Sequence, residues 1–190
     1  MQLFYTTTTG YDNEQPNVQS SLGGYKSSTP VTNDDFDNLF GEISVMTIRS
    51  GRDEYRAVML KNEMSVTARK VKVRVIPDEN AIAMFRMGVG RVGVPNKYGW
   101  KAMENVSSIY GKPFQTQLVD MNSPEAVLEV GDLAPGAEVG LWVCRHIDLE
   151  KAREQYNRVA EPDPTDTTAR RWRPVDKPKT ERIDIVISWV

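Results

Sequence analysis

Residues 88–93 carry the only glycine pattern of this sequence that resembles a cofactor-binding loop. They read GVGRVG and match the GxGxxG pattern of dinucleotide-binding proteins. Such a loop must lead from a strand into a helix, whose N-terminus holds the pyrophosphate. A strand is predicted before the motif, but Pro95 and Gly99 follow it and disfavour a helix start. We therefore interpret the motif as a glycine-rich loop and predict no bound cofactor.

The single cysteine and the single histidine, Cys144 and His146, lie two residues apart and so share one face of a strand. A catalytic cysteine needs a thiolate and an orienting partner. The apolar neighbours of Cys144 instead predict a buried thiol with a raised pKa. One cysteine excludes an intrachain disulfide, and this pair alone argues against a zinc site. The sequence therefore predicts a protein that is not an enzyme, with no catalytic, cofactor-binding or metal-binding residues.

An acidic cluster, Asp34, Asp35 and Asp37, offers oxygen ligands for a hard cation. An EF-hand loop starting at Asp34 requires glycine at its sixth position and glutamate at its twelfth. The sequence has Leu39 and Val45 there. The cluster is therefore interpreted as a polar loop or helix cap.

A basic cluster, Arg170 to Arg173, surrounds one tryptophan. Basic residues beside an aromatic ring can grip phosphate and stack a base. A net charge of −2, a pI near 5.6 and acidic neighbours argue against nucleic acid as a partner. Because arginine and tryptophan are enriched at interface hot spots, we predict that Arg171, Trp172 and Arg173 contact another subunit.

The sequence also lacks membrane and export signals. Residues 1–10 have no basic region followed by an apolar run, so they do not read as a signal peptide. No stretch approaches the ~20 apolar residues that a membrane-spanning helix needs. We expect no membrane partner and a protein made in a reducing cytoplasm.

Alternation of apolar and polar residues predicts β-strands, most clearly at 67–76 and 182–190, and residues 138–147, apolar on both faces, predict a central strand. Turn residues separate these strands, as is typical of an all-β, antiparallel β-sandwich of the Ig-like or jelly-roll-like type. We assign the sandwich to residues 41–190. Within it we predict one short helix at 148–158, capped by Asp148, and a Pro-rich surface excursion at 161–179.

The first 40 residues differ in composition from the rest. Residues 1–38 are mostly Thr, Gly, Asn, Asp, Gln and Ser, with single apolar residues between them, which predicts that they cannot form a core alone. Residues 1–40 are therefore expected to be an extended N-terminal arm, which could dock on its own domain or on a neighbouring subunit; we favour the neighbouring subunit. Its predicted anchors in that subunit interface are Tyr25, Phe36, Leu39 and Phe40.

Several short strings occur in a defined order: SLGGY at 21–25, SST at 27–29, NLF at 38–40, EYRA at 54–57, KN at 61–62, LAPG at 133–136 and GLWV at 140–143. This order, over about residues 20–150, resembles small β-rich structural proteins of tailed-bacteriophage virions. The resemblance implies a non-enzymatic virion subunit, made in the host bacterial cytoplasm, whose partners are other virion structural proteins and copies of itself. It leaves capsid decoration, neck and tail open as positions.

A second hypothesis is a binding module that recognises a carbohydrate or host-surface ligand. The loop at 88–111 contains Tyr98, Trp100 and Tyr110, whose rings could stack on sugars. No other motif suggests a small-molecule ligand. The two hypotheses share the fold and differ in the partner.

Overall fold

The protein is described by a computed structural model over residues 1–32, 39–79, 81–152, 154, 179, 181 and 183–190. The strands in these residues are β1 (Gln2–Thr7), β2 (Tyr25–Pro30), β3 (Asp53–Lys61), β4 (Ala68–Pro77), β5 (Ala83–Val89), β6 (Val119–Asp120), β7 (Leu128–Leu133), β8 (Glu138–Ile147) and β9 (Ile183–Ser188). They form a six-stranded sheet in the order β2-β1-β3-β8-β5-β6 and a three-stranded sheet in the order β7-β4-β9. Their pairings are antiparallel, and the predicted all-β sandwich is confirmed.

The residue pattern of each strand accounts for its place in the sandwich. In β4 every second residue, Val71, Val73 and Val75, is buried, while the lysine and arginine between them are partly exposed. Strand β8 lies between β3 and β5, and both of its faces are buried: Leu141 and Val143 pack in one apolar cluster, Trp142 and Cys144 in another. Its length of ten residues lets it pair along nearly all of β3. The six-stranded sheet is therefore organised around β8.

The six-stranded sheet has two covered faces. The inner face packs against the three-stranded sheet and forms the main core, in which Phe85, Leu141 and Val143 meet the valines of β4. Burying each such side chain stabilises the fold by roughly 1.5–3 kcal/mol. The outer face carries a smaller apolar cluster around Trp142 and Met103. Loops rather than a second sheet cover this outer face.

A short helix, α1 (Val45–Ser50), contributes to the main core and was not predicted. The Ser44 side chain accepts a hydrogen bond from the N–H of Thr47 and so caps the helix start. Gly51 ends the helix with a left-handed φ of 62°. Ile48 is buried in the main core, which gives this helix its single apolar contact face. A single buried apolar residue gives no helical periodicity, so the sequence pattern did not predict α1.

The predicted N-terminal arm is wrong for residues 1–32. Strand β1 lies inside the six-stranded sheet, between β2 and β3, with Leu3 and Tyr5 in the main core. The outer edge of β2 is covered in turn by residues 12 and 13, through hydrogen bonds between Asp12 N–H and Lys26 O and between Ser28 N–H and Asn13 O. These residues belong to the sandwich itself.

The composition misled the prediction because this region buries polar side chains that find partners. Ser21 Oγ accepts a hydrogen bond from Thr6 N–H at 2.7 Å and donates one to the carbonyl of Ala57 at 2.5 Å. The Gln15 side chain donates to the carbonyl of Thr6 at 2.7 Å. Buried Lys26 pairs with Asp12 and lies 4.3 Å from the centre of the Phe4 ring. A buried polar group with a hydrogen-bond partner is tolerated, so few apolar residues suffice here.

The predicted helix at 148–158 is present where it is described. Residues 149–152 and 154 are helical, and Asp148 Oδ1 accepts hydrogen bonds from the N–H groups of Glu150 and Lys151. The cap is therefore the one predicted. The rest of this segment, and all of the Pro-rich excursion at 161–179 except Lys179, lies outside the described residues.

Candidate functional site: the two broad faces of the sandwich

The predicted interface residues fall into two groups. Leu39 and Phe40 are buried in the main core of their own domain, and Tyr25 is half-buried in β2. Leu39 and Phe40 are therefore not exposed anchors for a neighbour, which corrects the prediction. The other predicted interface residues, Phe36, Arg171, Trp172 and Arg173, lie outside the described residues.

Phe40 covers a buried charged group on the inner face. The guanidinium carbons of Arg56 and Arg145 lie 5.5 and 4.8 Å from the centre of the Phe40 ring. Arg145 Nε donates to Glu54 at 2.9 Å, whereas Arg56 Nη1 donates to the carbonyl of Tyr55. Burial lowers the pKa of Arg56 to about 10. Two cations thus share one buried carboxylate.

Cys144 and His146 belong to a polar cluster at one end of the outer face. Register places Asp53 opposite His146, and His146 Nδ1 lies 2.7 Å from Asp53 Oδ1. Asp53 Oδ2 accepts hydrogen bonds from Arg86 Nη2 at 2.7 Å and from the Tyr55 hydroxyl at 2.9 Å. Asp53 is therefore the acceptor that joins three strands of the sheet.

The electrostatics of this cluster do not activate its thiol. Burial raises the pKa of Cys144 to about 11, and the side chain is fully buried. Burial also raises the pKa of Asp53, but hydrogen bonds from His146 and Tyr55 and the charge of Arg86 outweigh it, so that this pKa lies below its usual value. The cluster holds an ionised carboxylate and a neutral, inaccessible thiol. It offers no activated nucleophile.

The outer face is covered by residues 89–119, which run from the last residue of β5 to the first of β6 and are here called the loop layer. Met103 anchors it: a Cβ at Gly140 would lie 2.8 Å from Met103 Sδ, and a Cβ at Gly90 2.6 Å from Met103 Cε. A Cβ at Gly88 would lie 2.3 Å from the Gln117 carbonyl oxygen. The glycines of the GxGxxG pattern thus allow close packing of this layer.

Residues 91–104 of the loop layer form an irregular hairpin with a fixed tip. Asn96 N–H donates to the carbonyl of Trp100 at 2.8 Å, which closes the tip. Asn96 Oδ1 accepts hydrogen bonds from the N–H groups of Tyr98 and Trp100 at 2.9 and 3.1 Å. Gly99 has a φ of 80°, which glycine adopts without strain. The tip therefore holds its two aromatic residues in defined positions.

The aromatic side chains of the tip form a stack. The Trp100 ring lies 5.2 Å from the Tyr11 ring with an interplanar angle of 16°, and 4.9 Å from the Tyr98 ring. Tyr11 is held by its hydroxyl, which donates to Glu138 at 2.6 Å. Tyr98 remains 62% exposed. The structure thus joins Tyr98 and Trp100, whereas Tyr110 lies instead beside Arg52.

A second fixed turn of the loop layer presents Phe114. The Glu104 carboxylate accepts hydrogen bonds from the N–H groups of Phe114 at 2.7 Å and Gln115 at 3.1 Å. The Phe114 side chain is 89% exposed. A large apolar side chain held this far into solvent on a constrained backbone is typical of a contact surface.

Exposed large apolar side chains in the described residues concentrate on two regions. The loop layer contributes Val89, Val94, Tyr98, Trp100, Tyr110, Phe114 and Val119. The second region, here called the small-sheet side, consists of residues 62–79, 123–137 and 183–190, which form the three-stranded sheet and its adjoining turns. It contributes Val66, Ile76, Val186, Trp189 and Val190. Within the described ranges, only Met46 of α1 is a large exposed apolar residue outside both regions.

The two regions lie on opposite sides of the six-stranded sheet. Trp142 and Leu141 are neighbours in β8 and point to opposite faces; Trp142 packs under the loop layer, and Leu141 packs in the core with the three-stranded sheet. Most of the large exposed apolar residues among those described therefore lie on these two broad faces; Val89 and Val119, which pair with Leu141 and Met87, lie instead at the edge of the inner face.

The chain matches no protein-family model, no curated protein and no solved structure. No helix in the described residues is long and apolar enough to cross a membrane. Those residues also contain no group of three or more His, Cys, Asp or Glu placed to hold a metal ion.

Sequence reasoning named Tyr98, Trp100 and Tyr110 but missed Phe114 and Val94. Val94 is 92% exposed. Like Phe114, it lies in a short polar stretch. A lone apolar residue in a loop reads equally well as buried or exposed. The sequence feature that could indicate an exposed surface here is composition. Residues 88–111 are rich in glycine and in aromatic and basic residues, and they show neither strand nor helix periodicity.

Proposed function

We propose that the chain is a non-enzymatic structural subunit of a tailed-phage virion, serving as a capsid decoration, neck or tail component. It binds neighbouring subunits through the two broad faces of its sandwich. The observation that carries this proposal is the concentration of exposed apolar side chains on the loop layer and the small-sheet side. A subunit inside an assembly needs contact surfaces on more than one side, and this distribution provides them.

The constrained turns of the loop layer support the proposal. Binding costs less when the contacting side chains are ordered beforehand, because less conformational entropy is lost. Asn96 fixes the tip that holds Tyr98 and Trp100, and Glu104 fixes the turn that holds Phe114. Aromatic residues of this kind dominate the free energy of protein–protein contacts.

The polar cluster around Asp53 also supports a non-enzymatic role. Its carboxylate is fully engaged by neighbouring strands, and its thiol is buried and neutral. Such a cluster ties β3, β5 and β8 together. It serves the stability of the sheet beneath the loop layer.

The test is incorporation into particles. Phe114→Ala should leave thermal unfolding unchanged and reduce the amount of this chain in virions purified from the host, measured by quantitative mass spectrometry. Met46→Ala is the matched control, because Met46 is 66% exposed but lies outside both faces. Wild-type protein that is absent from purified particles would refute the proposal.

The second candidate function is carbohydrate binding, favoured by the exposed Tyr98 and Trp100 pair at a fixed hairpin tip. The two rings are tilted by 33° to each other, and exposed aromatic rings can stack on sugar rings. Lys97 Nζ lies 4.9 Å from the Tyr98 ring centre and competes for its face, so we rank this function second. A glycan array with the wild type and Trp100→Ala separates the two: binding lost in the variant would favour this candidate.

A further inference from the structure

The loop layer is a basic region of an acidic chain. It contains four basic residues and one acidic residue, a net charge of +3; because the whole chain carries −2, the other residues sum to −5. The basic residues, all exposed, are Arg91, Lys97, Lys101 and Lys112. The acidic one, Glu104, already accepts the N–H groups of its own turn. The basic side chains therefore have little negative charge within their own layer.

The small-sheet side has the opposite balance. Seven acidic and four basic residues give it a net charge of −3. The acidic residues, all exposed, are Glu63, Asp78, Glu79, Glu125, Glu129, Asp132 and Asp184. Lys72 on β4 pairs with Glu129 at 3.1 Å, so part of this charge is balanced internally. The acidic excess lies mainly on β7 and the turns beside the three-stranded sheet.

We infer that copies of this chain associate head to tail, with the loop layer of one copy on the small-sheet side of the next. This inference rests on the proposed function and names the partner of the loop layer as a second copy. Both faces expose apolar side chains, and their net charges are equal and opposite. Complementary charge fixes the orientation of two apolar surfaces that would otherwise associate in several ways.

Charge also argues against a symmetric pair. A twofold dimer would place like faces on each other and bring together either two regions of charge +3 or two of charge −3. A contact between different faces is heterologous and leaves one free face of each kind on the pair. It therefore continues into a ring or an open stack, depending on the rotation between successive copies.

The decisive experiment exchanges charge between the faces. Lys97→Glu with Lys101→Glu changes the loop layer from +3 to −1, and Glu125→Lys with Glu129→Lys changes the small-sheet side from −3 to +1. All four side chains are exposed, so the variants should fold. Sedimentation velocity over a concentration series, at about 0.05 M and about 0.5 M salt, measures association.

Each double variant alone should associate about tenfold more weakly than the wild type at low salt. Association should return when the two variants are mixed in equal amounts, and also when all four changes are combined in one chain. Glu42→Lys with Glu150→Lys, a charge reversal of equal size outside both faces, should not weaken association. Circular dichroism confirms that each variant is folded.

Several results would overturn the inference. One is a wild type that stays monomeric throughout the concentration series; another is a dimer that does not grow further. A third is a mixture that fails to restore association. A monomeric wild type that still enters particles, and needs Phe114 to do so, would leave the proposed function intact and assign the loop layer to a different virion protein.

Discussion

The inner and outer faces of the six-stranded sheet are built from the same strands but closed in different ways. The inner face is closed by another sheet, whose alternating valines meet Phe85, Leu141 and Val143 in one continuous core. The outer face is closed by the loop layer, which inserts Met103 above Trp142, packs Val106 and Leu118 beside it and leaves side chains such as Tyr98 and Phe114 in solvent. The same sheet thus supports a sealed core on one side and an exposed, fixed surface on the other.

The inner face thus contributes mainly to stability, and the loop layer presents side chains for recognition. Regular strands satisfy their own backbone and bury every second side chain, so they present few large apolar groups outward. Loops need side-chain acceptors such as Asn96 and Glu104 to hold their N–H groups, and they can then direct aromatic residues away from the core. We therefore expect inner-face changes to lower the free energy of unfolding and loop-layer changes to lower association.

The largest effect is expected at the buried charges of the inner face. Glu54→Gln leaves Arg56 and Arg145 buried without the carboxylate between them, which should lower the free energy of unfolding by about 3–5 kcal/mol. Urea denaturation measures this loss. Glu42→Gln, at an exposed site, should change the same quantity by less than about 0.5 kcal/mol. Equal stability of both variants would mean that the inner face tolerates unpaired charge.

Met103→Ala tests whether the loop layer depends on its anchor. Removing this side chain leaves a cavity above Trp142, so unfolding should require about 2–3 kcal/mol less. Amide hydrogen exchange should accelerate in the loop layer and stay unchanged in β4 and β9. If amide exchange accelerated equally over the whole chain, the loop layer and the inner face would open together and not as separate units.

A smaller and pH-dependent effect is expected at Asp53. Because the folded-state pKa of Asp53 lies below its ordinary value, its contribution to stability is present above the unfolded-state pKa, about 3.8, and is lost as pH falls through the folded value. Asp53→Asn should cost about 1 kcal/mol at neutral pH and flatten the acid side of the stability profile. Denaturation between about pH 2 and 7 measures both, and an unchanged acid slope would contradict the assignment.

The smallest effect on folding is expected at Phe114. Its exposed side chain buries almost nothing, so Phe114→Ala should change the free energy of unfolding by less than about 0.5 kcal/mol. The same variant should weaken self-association at least as much as the loss of two surface charges. A clear drop in melting temperature would mean that Phe114 belongs to the core in solution.

Alternation in the sequence was sufficient to predict β4 and β9, each of which shows a period of two, whereas β8 was predicted from a run that is apolar on both faces. It failed for β1 and β2, whose buried positions include Thr6, Lys26 and Ser27. Thr6 and Lys26 are accommodated by hydrogen bonds with Ser21 and Asp12, which are 15 and 14 residues away, and composition does not reveal such partners. The local sequence pattern predicts a strand well only where the buried side chains of that strand are apolar.

The candidate site was less predictable than the fold. Tyr98 and Trp100 stood out as aromatics in a glycine-rich loop, but the stacking of Trp100 on Tyr11 depends on a contact with the connection between β1 and β2. Phe114 is exposed because Glu104, ten residues earlier, holds its turn. Neither relation has a sequence spacing that could be recognised in advance.

Because β3 pairs with β8, the centre of the six-stranded sheet can form only after the ribosome has made both strands. Lys61 pairs with Glu138, and Asp53 pairs with His146, so the two central strands are separated by 76 intervening residues at their nearest point. At roughly 5–20 residues per second, the ribosome supplies β8 some 4–15 s after β3. Strand β1 can pair with one edge of β3 at once, but Val58 and Leu60 lack their β8 neighbours until then. The yield of folded protein in an expressing cell should therefore depend on translation speed and chaperone supply, because the edge of β3 that pairs with β8 stays open during that interval.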